Sequence, residues 1–290
     1  MITVFGPTGN TGSVAASTLL DRGVQVRVVA RDPAKVEHLA KRGAEVFRGD
    51  VLDAGSVSAA LAGADGAYLI MPPDPTATDL VGRNLTIAQH FAAALTQHRT
   101  KHAVLLSSVG AQEPAGTGPI VSTYNAEKVL LSSASGTRFT FVRAAYFMEN
   151  ILANVHPMKG DGVLPVFGGG EQYPFAMIAT RDIGLLAADT LAAPPLENGV
   201  IELSGPMEYS FNDAARIAGN ILGREVKAVA VPLEAMVPTL TGFGFSANVA
   251  GLYREMTEGF AKGAIKFDGK GRAVRGKTTL EEVLRPALAA

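Results

Sequence analysis

The chain has no cysteine and no tryptophan. The first absence excludes disulfide staples, thiolate nucleophiles and any zinc or iron-sulfur centre held by cysteine, and it fits a reducing compartment. Histidine is scarce as well. The five present (His38, His90, His98, His102, His156) show no H-x-x-x-H or H-E-x-x-H spacing, so no metal site is expected. An excess of one charge is also missing: 26 basic and 27 acidic residues give a net charge of −1, with no basic stripe for nucleic acid. No uncharged apolar run approaches the roughly 18 residues that a membrane-spanning helix needs. The first strand-like run begins at Ile2, which leaves no room for a leader, so the expectation is a soluble cytoplasmic protein without membrane or nucleic-acid partners.

What the chain does have is apolar material and glycine. With 47% of 290 residues hydrophobic, there is enough for one large α/β core or a large domain with a smaller partner. The informative glycines come first. The apolar run Ile2 to Phe5 leads directly into Gly6-Pro7-Thr8-Gly9-Asn10-Thr11-Gly12, followed by a helical pattern. In such a turn the first glycine allows a tight bend off a strand, the second a close backbone approach to a pyrophosphate, and the third close packing of helix on sheet. The phosphates then sit on the helix's N-terminal N–H groups, with Gly6, Thr8, Gly9, Asn10, Thr11 and Gly12 around them.

To about residue 145, strand-length apolar runs alternate with helical patterns: Ile2 to Phe5, Val24 to Ala30, Ala44 to Phe47, Ala67 to Met71, Ala103 to Leu106 and Phe139 to Val142. That alternation means crossover units and a Rossmann-like, doubly wound parallel sheet. Beyond Ala144 it is lost. A helix is expected from Tyr146 to about Val155, then a Gly-rich aromatic stretch from Gly160 to Phe175, a helix from Arg181 to Leu191 and a strand at Gly199 to Leu203. Ser210, with Asp213 three residues on, starts a further helix that ends at Gly223, before a β-rich run from Val226 to Val231. The expected division is a dinucleotide-binding domain of residues 1–150 and 178–204 with a smaller α+β substrate-binding region of 151–177 and 205–290.

The residue after the second strand reads the adenosine ribose, and an acid there favours NAD. Here Arg31 comes first and Lys35 lies a turn on, a pair suited to a 2′-phosphate, so NADP is favoured over NAD, the alternatives being that Arg31 pairs with Asp32 or is simply solvated and that Asp32 itself contacts the ribose. Asp50 and Val51 after the third strand would flank the adenine, and Met71 and Pro72 after the fourth would wall the cofactor. Tyr124 and Lys128 are four residues apart on a helical pattern and so share a face. A lysine cation lowers a phenol's pKa, which makes Tyr124 a candidate proton donor, with Ser108 or Ser107 at the end of the fifth strand holding the substrate oxygen and Lys128 also reaching the ribose.

Taken in order, the glycine turn, Arg31-Asp32-Pro33, Ser107-Ser108, Lys128, the run Val142 to Asn150, Thr180-Arg181-Asp182-Ile183 and Leu203-Ser204-Gly205-Pro206 resemble the NmrA-like group of atypical short-chain dehydrogenases/reductases. The resemblance covers nearly the whole chain. It implies an extended Rossmann fold, NADP preference, and either a reductase of quinones or other small hydrophobic compounds or a cofactor-sensing regulator without turnover. Many members of that group keep the lysine but lack the tyrosine four residues before it; the presence of Tyr124 favours an enzyme.

A substrate pocket between the two regions would be walled by Phe147, Met148, Asn150, Phe167, Phe175, Met236, Phe243 and Phe245, with Phe147, Asn150 and Phe243 as the contacts. Thr241 to Phe245 reads as a mobile loop over a flat apolar ligand. Arg143 and Asp182 are read as pairing and capping residues. The expected activity is NADPH-dependent hydride transfer to a quinone or similar conjugated carbonyl, with a non-catalytic redox sensor, or a reductase of an imine or activated C=C bond, as alternatives. A homodimer is compatible with the sequence, which does not set the oligomeric state.

Overall fold

The computed structural model describes residues 1–289. Its strands are β1 (Ile2–Phe5), β2 (Val26–Ala30), β3 (Glu45–Arg48), β4 (Gly66–Leu69), β5 (His102–Ser108), β6 (Arg138–Ala144), β7 (Tyr146–Phe147), β8 (Val163–Phe167), β9 (Phe175–Ile178), β10 (Gly199–Ser204), β11 (Glu208–Tyr209), β12 (Lys227–Val231) and β13 (Arg272–Arg275). The helices are α1 (Asn10–Asp21), α2 (Glu37–Ala40), α3 (Ala54–Leu61), α4 (Leu80–His98), α5 (Val121–Ser133), α6 (Val155–Gly160), α7 (Thr180–Ala192), α8 (Phe211–Leu222), α9 (Met236–Gly242), α10 (Ala247–Ala261) and α11 (Leu280–Ala289).

Eight strands form one sheet in the order β3-β2-β1-β4-β5-β6-β10-β13, with every pair parallel. Strand side chains alternate between faces. Val4, Val28, Val104 and Val142 therefore pack with Ala15, Leu19, Ile183 and Ala187 of α1 and α7. Phe5, Val29, Leu105 and Phe141 pack on the opposite side with Leu61, Phe91 and Leu130 of α3, α4 and α5. Both faces of the sheet are thus buried, as expected of parallel strands joined by helical crossovers. The chain order reverses between β1 and β4, and that is where a crevice opens outside the strands' carboxyl ends.

A second core, built from Met148, Met158, Leu164, Met177, Tyr209, Leu280 and Leu284, joins α8 and α11 to two small sheets. The α8 helix starts on the expected capping box: Asp213 N–H donates to Ser210 Oγ at 3.0 Å, and Ser210 N–H donates back to the Asp213 carboxylate at 3.1 Å. It ends at Gly223 with φ of 67°.

Three expectations are corrected. The helix from Tyr146 opens instead as a two-residue strand pairing with Met177 and Ile178, followed by a 3-10 turn over Met148–Asn154. Thr241 to Phe245 is only partly a loop, since α9 runs through Gly242. Arg272–Arg275, placed in the smaller region, is the edge strand of the main sheet, because its backbone completes the ladder on β10.

Candidate functional site

The glycine turn divides into residues that the fold requires and one that it does not. Gly6 sits at φ of 67°, and a Cβ there would lie 2.1 Å from Ile70 Cδ1 at the end of β4. At Gly12 a Cβ would lie 2.2 Å from the Gly6 carbonyl oxygen. Gly9 differs: its φ of −90° and ψ of 167° suit any residue, and a Cβ would meet only the Gly6 oxygen, at an ordinary 3.5 Å. Nothing in the protein demands a glycine there. Gly9 is also the N-cap of α1 without a side-chain cap, so the helix keeps its first N–H groups for a ligand. A dinucleotide pyrophosphate fits that cradle. Thr11 is mostly buried, and its hydroxyl accepts from Tyr68 at 3.0 Å, which fixes α1 against β4.

Arg31 and Lys35 are both exposed, and neither has an ion pair among the described residues. The alternative Arg31–Asp32 pair does not form; the Asp32 carboxylate accepts from Ala34 N–H at 3.1 Å and caps the following 3-10 turn. Asp50 turns its carboxylate to Leu52 N–H at 3.0 Å, and Val51 packs partly buried on the core.

Two cavities are associated with the sites expected from sequence. One, of about 220 Å³, is lined by Met71, Pro73, Asp74, Leu80, Asn84, Pro119, Ser122, Thr123, Phe245, Val249 and Tyr253. Its wall includes Met71, the residue that follows Ile70, whose Cδ1 lies against Gly6; no residue of the glycine turn lines it. Its far wall is pinned in place: Ser246 donates N–H to Pro75 O at 2.9 Å and Oγ to Ala77 O at 2.5 Å, and Leu80 N–H donates to Asn248 Oδ1 at 3.0 Å. These bonds hold the start of α10 against the loop after β4.

The other cavity, of about 430 Å³, is lined by Gln112, Tyr124, Glu127, Lys128, Phe141, Arg143, Asn198, Val200 and Lys270, among others. Tyr124 and Lys128 do meet, with Lys128 Nζ 5.5 Å from the phenol ring centre. They face β6 and β10, however, and line no part of the cavity beside β4; the α5 residues there are Ser122 and Thr123. Ser107 is buried and donates to Glu127 Oε1 at 2.6 Å. Glu127 in turn holds Arg143 Nε at 3.1 Å and Nη2 at 2.8 Å, and Asp268 lies 3.7 Å from the same guanidinium. Burial alone would lower the Arg143 pKa, but the Glu127 hydrogen bonds and the charges of Glu127, Asp268 and Glu202 raise it overall. Ser108 spends its hydroxyl on Val109 O at 3.0 Å.

The other expected contacts are dispersed. Phe147 is half-buried against the core and Asn150 is exposed; burial pushes the pKa of Tyr146 up to about 12. Phe243 is 77% exposed and lines neither cavity, whereas its neighbour Phe245 lines the first and meets Tyr253 edge-on at 6.0 Å. Met148 is fully buried in the second core, where Phe175 packs as well; Met236 is buried too. Asp182 accepts from Lys277 N–H at 2.7 Å and Thr278 N–H at 2.8 Å, a capping role. Sequence reading missed Asn84 and Tyr253. Asn84 did carry a signal, as a polar residue on the apolar face of α4 with Ile87, Ala88 and Phe91.

The fold and the turn define a dinucleotide-binding protein of the extended Rossmann type. More specifically, the NmrA-like family profile matches residues 1–282, and the chain belongs to that family. It is 28% identical over 259 residues to the NAD(P)H azoreductase of Xenophilus azovorans, covering 88% of this chain and 86% of that protein. It is 23% identical to quinone oxidoreductase 2 of Escherichia coli, covering 93% and 91%. Among solved structures, the NADPH complex of an Escherichia coli NADPH-dependent quinone oxidoreductase superposes with a TM-score of 0.82 at 24% identity, over 99% of both chains. The NADP(H) complex of Citrobacter sp. triphenylmethane reductase gives 0.82 at 20%, over 99% of this chain and 100% of that one.

Proposed function

We propose that this chain is an NADPH-dependent oxidoreductase that reduces a quinone or a similar small conjugated carbonyl in the cavity beside β4. The observation that supports the reading is that Met71, in the cavity wall, follows Ile70 in the chain, and Ile70 packs on Gly6 of the glycine turn. The relatives named for quinone, azo and triphenylmethane compounds support it, since each of those substrates is a flat or extended π-system that can accept hydride.

NADPH, when bound, supplies the hydride. The chain's own residues do the rest: Gly9 and the open N–H groups of α1 take the phosphates, and Arg31 with Lys35 takes the 2′-phosphate. Met71, Pro73 and Phe245 exclude water from the acceptor and hold its plane. A quinone that takes up hydride becomes a hydroquinone anion and needs only one solvent proton afterwards. A protein acid is therefore dispensable, and Tyr124 with Lys128, set in the other cavity, has no step in this scheme.

NADPH oxidation against benzoquinones, naphthoquinones, enones and cyclic imines tests the reading. Turnover with quinones, largely kept in Tyr124→Phe, is expected. Tight NADPH binding with no turnover on any acceptor would overturn it in favour of a redox sensor, and loss of turnover in Tyr124→Phe would return that phenol to the mechanism.

A further inference from the structure

We infer that Asn84, Ser122 and Tyr253 form a hydrogen-bond donor set that selects one- or two-ring acceptors bearing carbonyl oxygens. This rests on the assignment of the cavity beside β4 to the acceptor. Its volume of about 220 Å³ is below the roughly 300 Å³ at which pockets for drug-sized ligands begin, which favours a compact acceptor over a three-ring dye.

Asn84, Ser122 and Tyr253 in its wall each keep a donor that is not spent on another described residue. Asn84 is 5% exposed and spends its amide oxygen on Arg83 Nη1 at 3.1 Å. Because the Arg83 donor fixes which end is oxygen, the NH₂ is left for the cavity. Ser122 is 1% exposed, and its Oγ has no hydrogen-bond partner. A buried hydroxyl left in that state is destabilising, and a ligand acceptor would relieve it. Tyr253 is tethered by its ring, edge-on to Phe245, and burial raises its pKa, so its hydroxyl stays a neutral donor at and above neutral pH. The one carboxylate in the wall, Asp74, is already engaged: Thr76 donates to it at 2.8 Å and Arg83 lies 3.3 Å away. Thr76 in particular holds its carboxyl below the usual range. The wall thus offers donors and no free anion, a match for carbonyl lone pairs and a poor one for a cation.

During reduction, hydride adds two electrons and one hydrogen to the quinone, and negative charge develops on oxygen. The donors stabilise that oxyanion without giving up a proton; water protonates it on release. Because the chain has no cysteine, an electrophilic quinone can be used as a probe without thiol addition.

The test is equilibrium dialysis of NADP⁺-loaded protein with 1,4-naphthoquinone and with naphthalene, the same rings without oxygens. Wild type should prefer the quinone by tenfold or more. Tyr253→Phe, which keeps the ring and its contact with Phe245, should weaken quinone binding about tenfold and leave naphthalene within twofold. Asn84→Leu and Ser122→Ala should act the same way, and thermal melting checks that each is folded. Unchanged quinone binding in folded Tyr253→Phe, or equal loss for both probes, overturns the donor set. If the discrimination holds but wild type oxidises no NADPH with any quinone, the proposed activity fails and the donor set stands. Quinone turnover together with binding that none of the three substitutions changes leaves the activity standing and removes the donor set.

Discussion

Alanine at Gly12 and alanine at Gly9 should behave oppositely: Gly12→Ala damages the fold, and Gly9→Ala damages only cofactor binding. At position 12 a Cβ falls 2.2 Å from the Gly6 carbonyl oxygen, backbone against backbone with no side chain to swing away. Overpacking of that kind costs about 3 kcal/mol, or roughly a 6 °C fall in Tm for a chain this size. At position 9 the backbone already lies where alanine is content, and the nearest atom is 3.5 Å away. Alanine is a poorer N-cap than glycine by about 0.5–1 kcal/mol, while the stiffer unfolded chain returns about 0.4–1 kcal/mol, so the apo protein should melt within about 2 °C of wild type. The new methyl then stands where the pyrophosphate must approach. At an NADPH concentration about 100 times the wild-type Kd, the wild type gains about 2.7 kcal/mol, and a variant about tenfold weaker gains about 1.4 kcal/mol. Melting curves with and without NADPH measure both quantities. A Gly9→Ala protein with the full NADPH shift, or one whose apo form melts as low as Gly12→Ala, would refute the division of labour.

Removing Glu127 leaves the buried Arg143 with Asp268 alone at 3.7 Å and frees Ser107, so Glu127→Ala should lose about 4 kcal/mol in urea unfolding; a loss below about 1 kcal/mol would mean that the pair is already solvated. His102 is buried beside the Arg138 charge, and desolvation first, then that charge, hold its pKa down to about 4. A histidine with a lowered folded pKa is protonated first in the unfolded chain, so stability is full above about pH 6.5 and falls by about 3 kcal/mol as the pH drops to 4. Denaturant midpoints across that window should lose this slope in His102→Gln. Arg31→Ala should weaken NADPH binding about tenfold and leave NADH binding unchanged, as read by titration; equal loss for both would place the side chain away from the 2′-phosphate.

Much of the nucleotide-binding half was legible because its signals are local. Strand side chains alternate, helices repeat every three to four residues, and a glycine turn needs only a few neighbours; six strands of the sheet end within two residues of the apolar runs that mark them. The capping box at Ser210 and Asp213 and the stop at Gly223 are equally local. The segment from Tyr146 was not legible in the same way, because a two-residue strand is decided by its partners, Met177 and Ile178, far along the chain.

By itself the sequence determined the parallel, Rossmann-like alternation of strands and helices, the glycine turn after the first strand, the basic pair at Arg31 and Lys35, and the shared helix face of Tyr124 and Lys128. Only the tertiary structure decided where that face looks. The packing of Ala126 and Leu130 into the sheet sets the roll of α5, and it turns Tyr124 and Lys128 toward β6 and β10 while Ser122 and Thr123 meet the cavity by β4. The same holds for Tyr253 and for β13, whose places depend on α10 folding back onto the loop after β4 and on a ladder closed between distant stretches of chain. Periodicity states which residues share a face, and long-range packing chooses what that face sees.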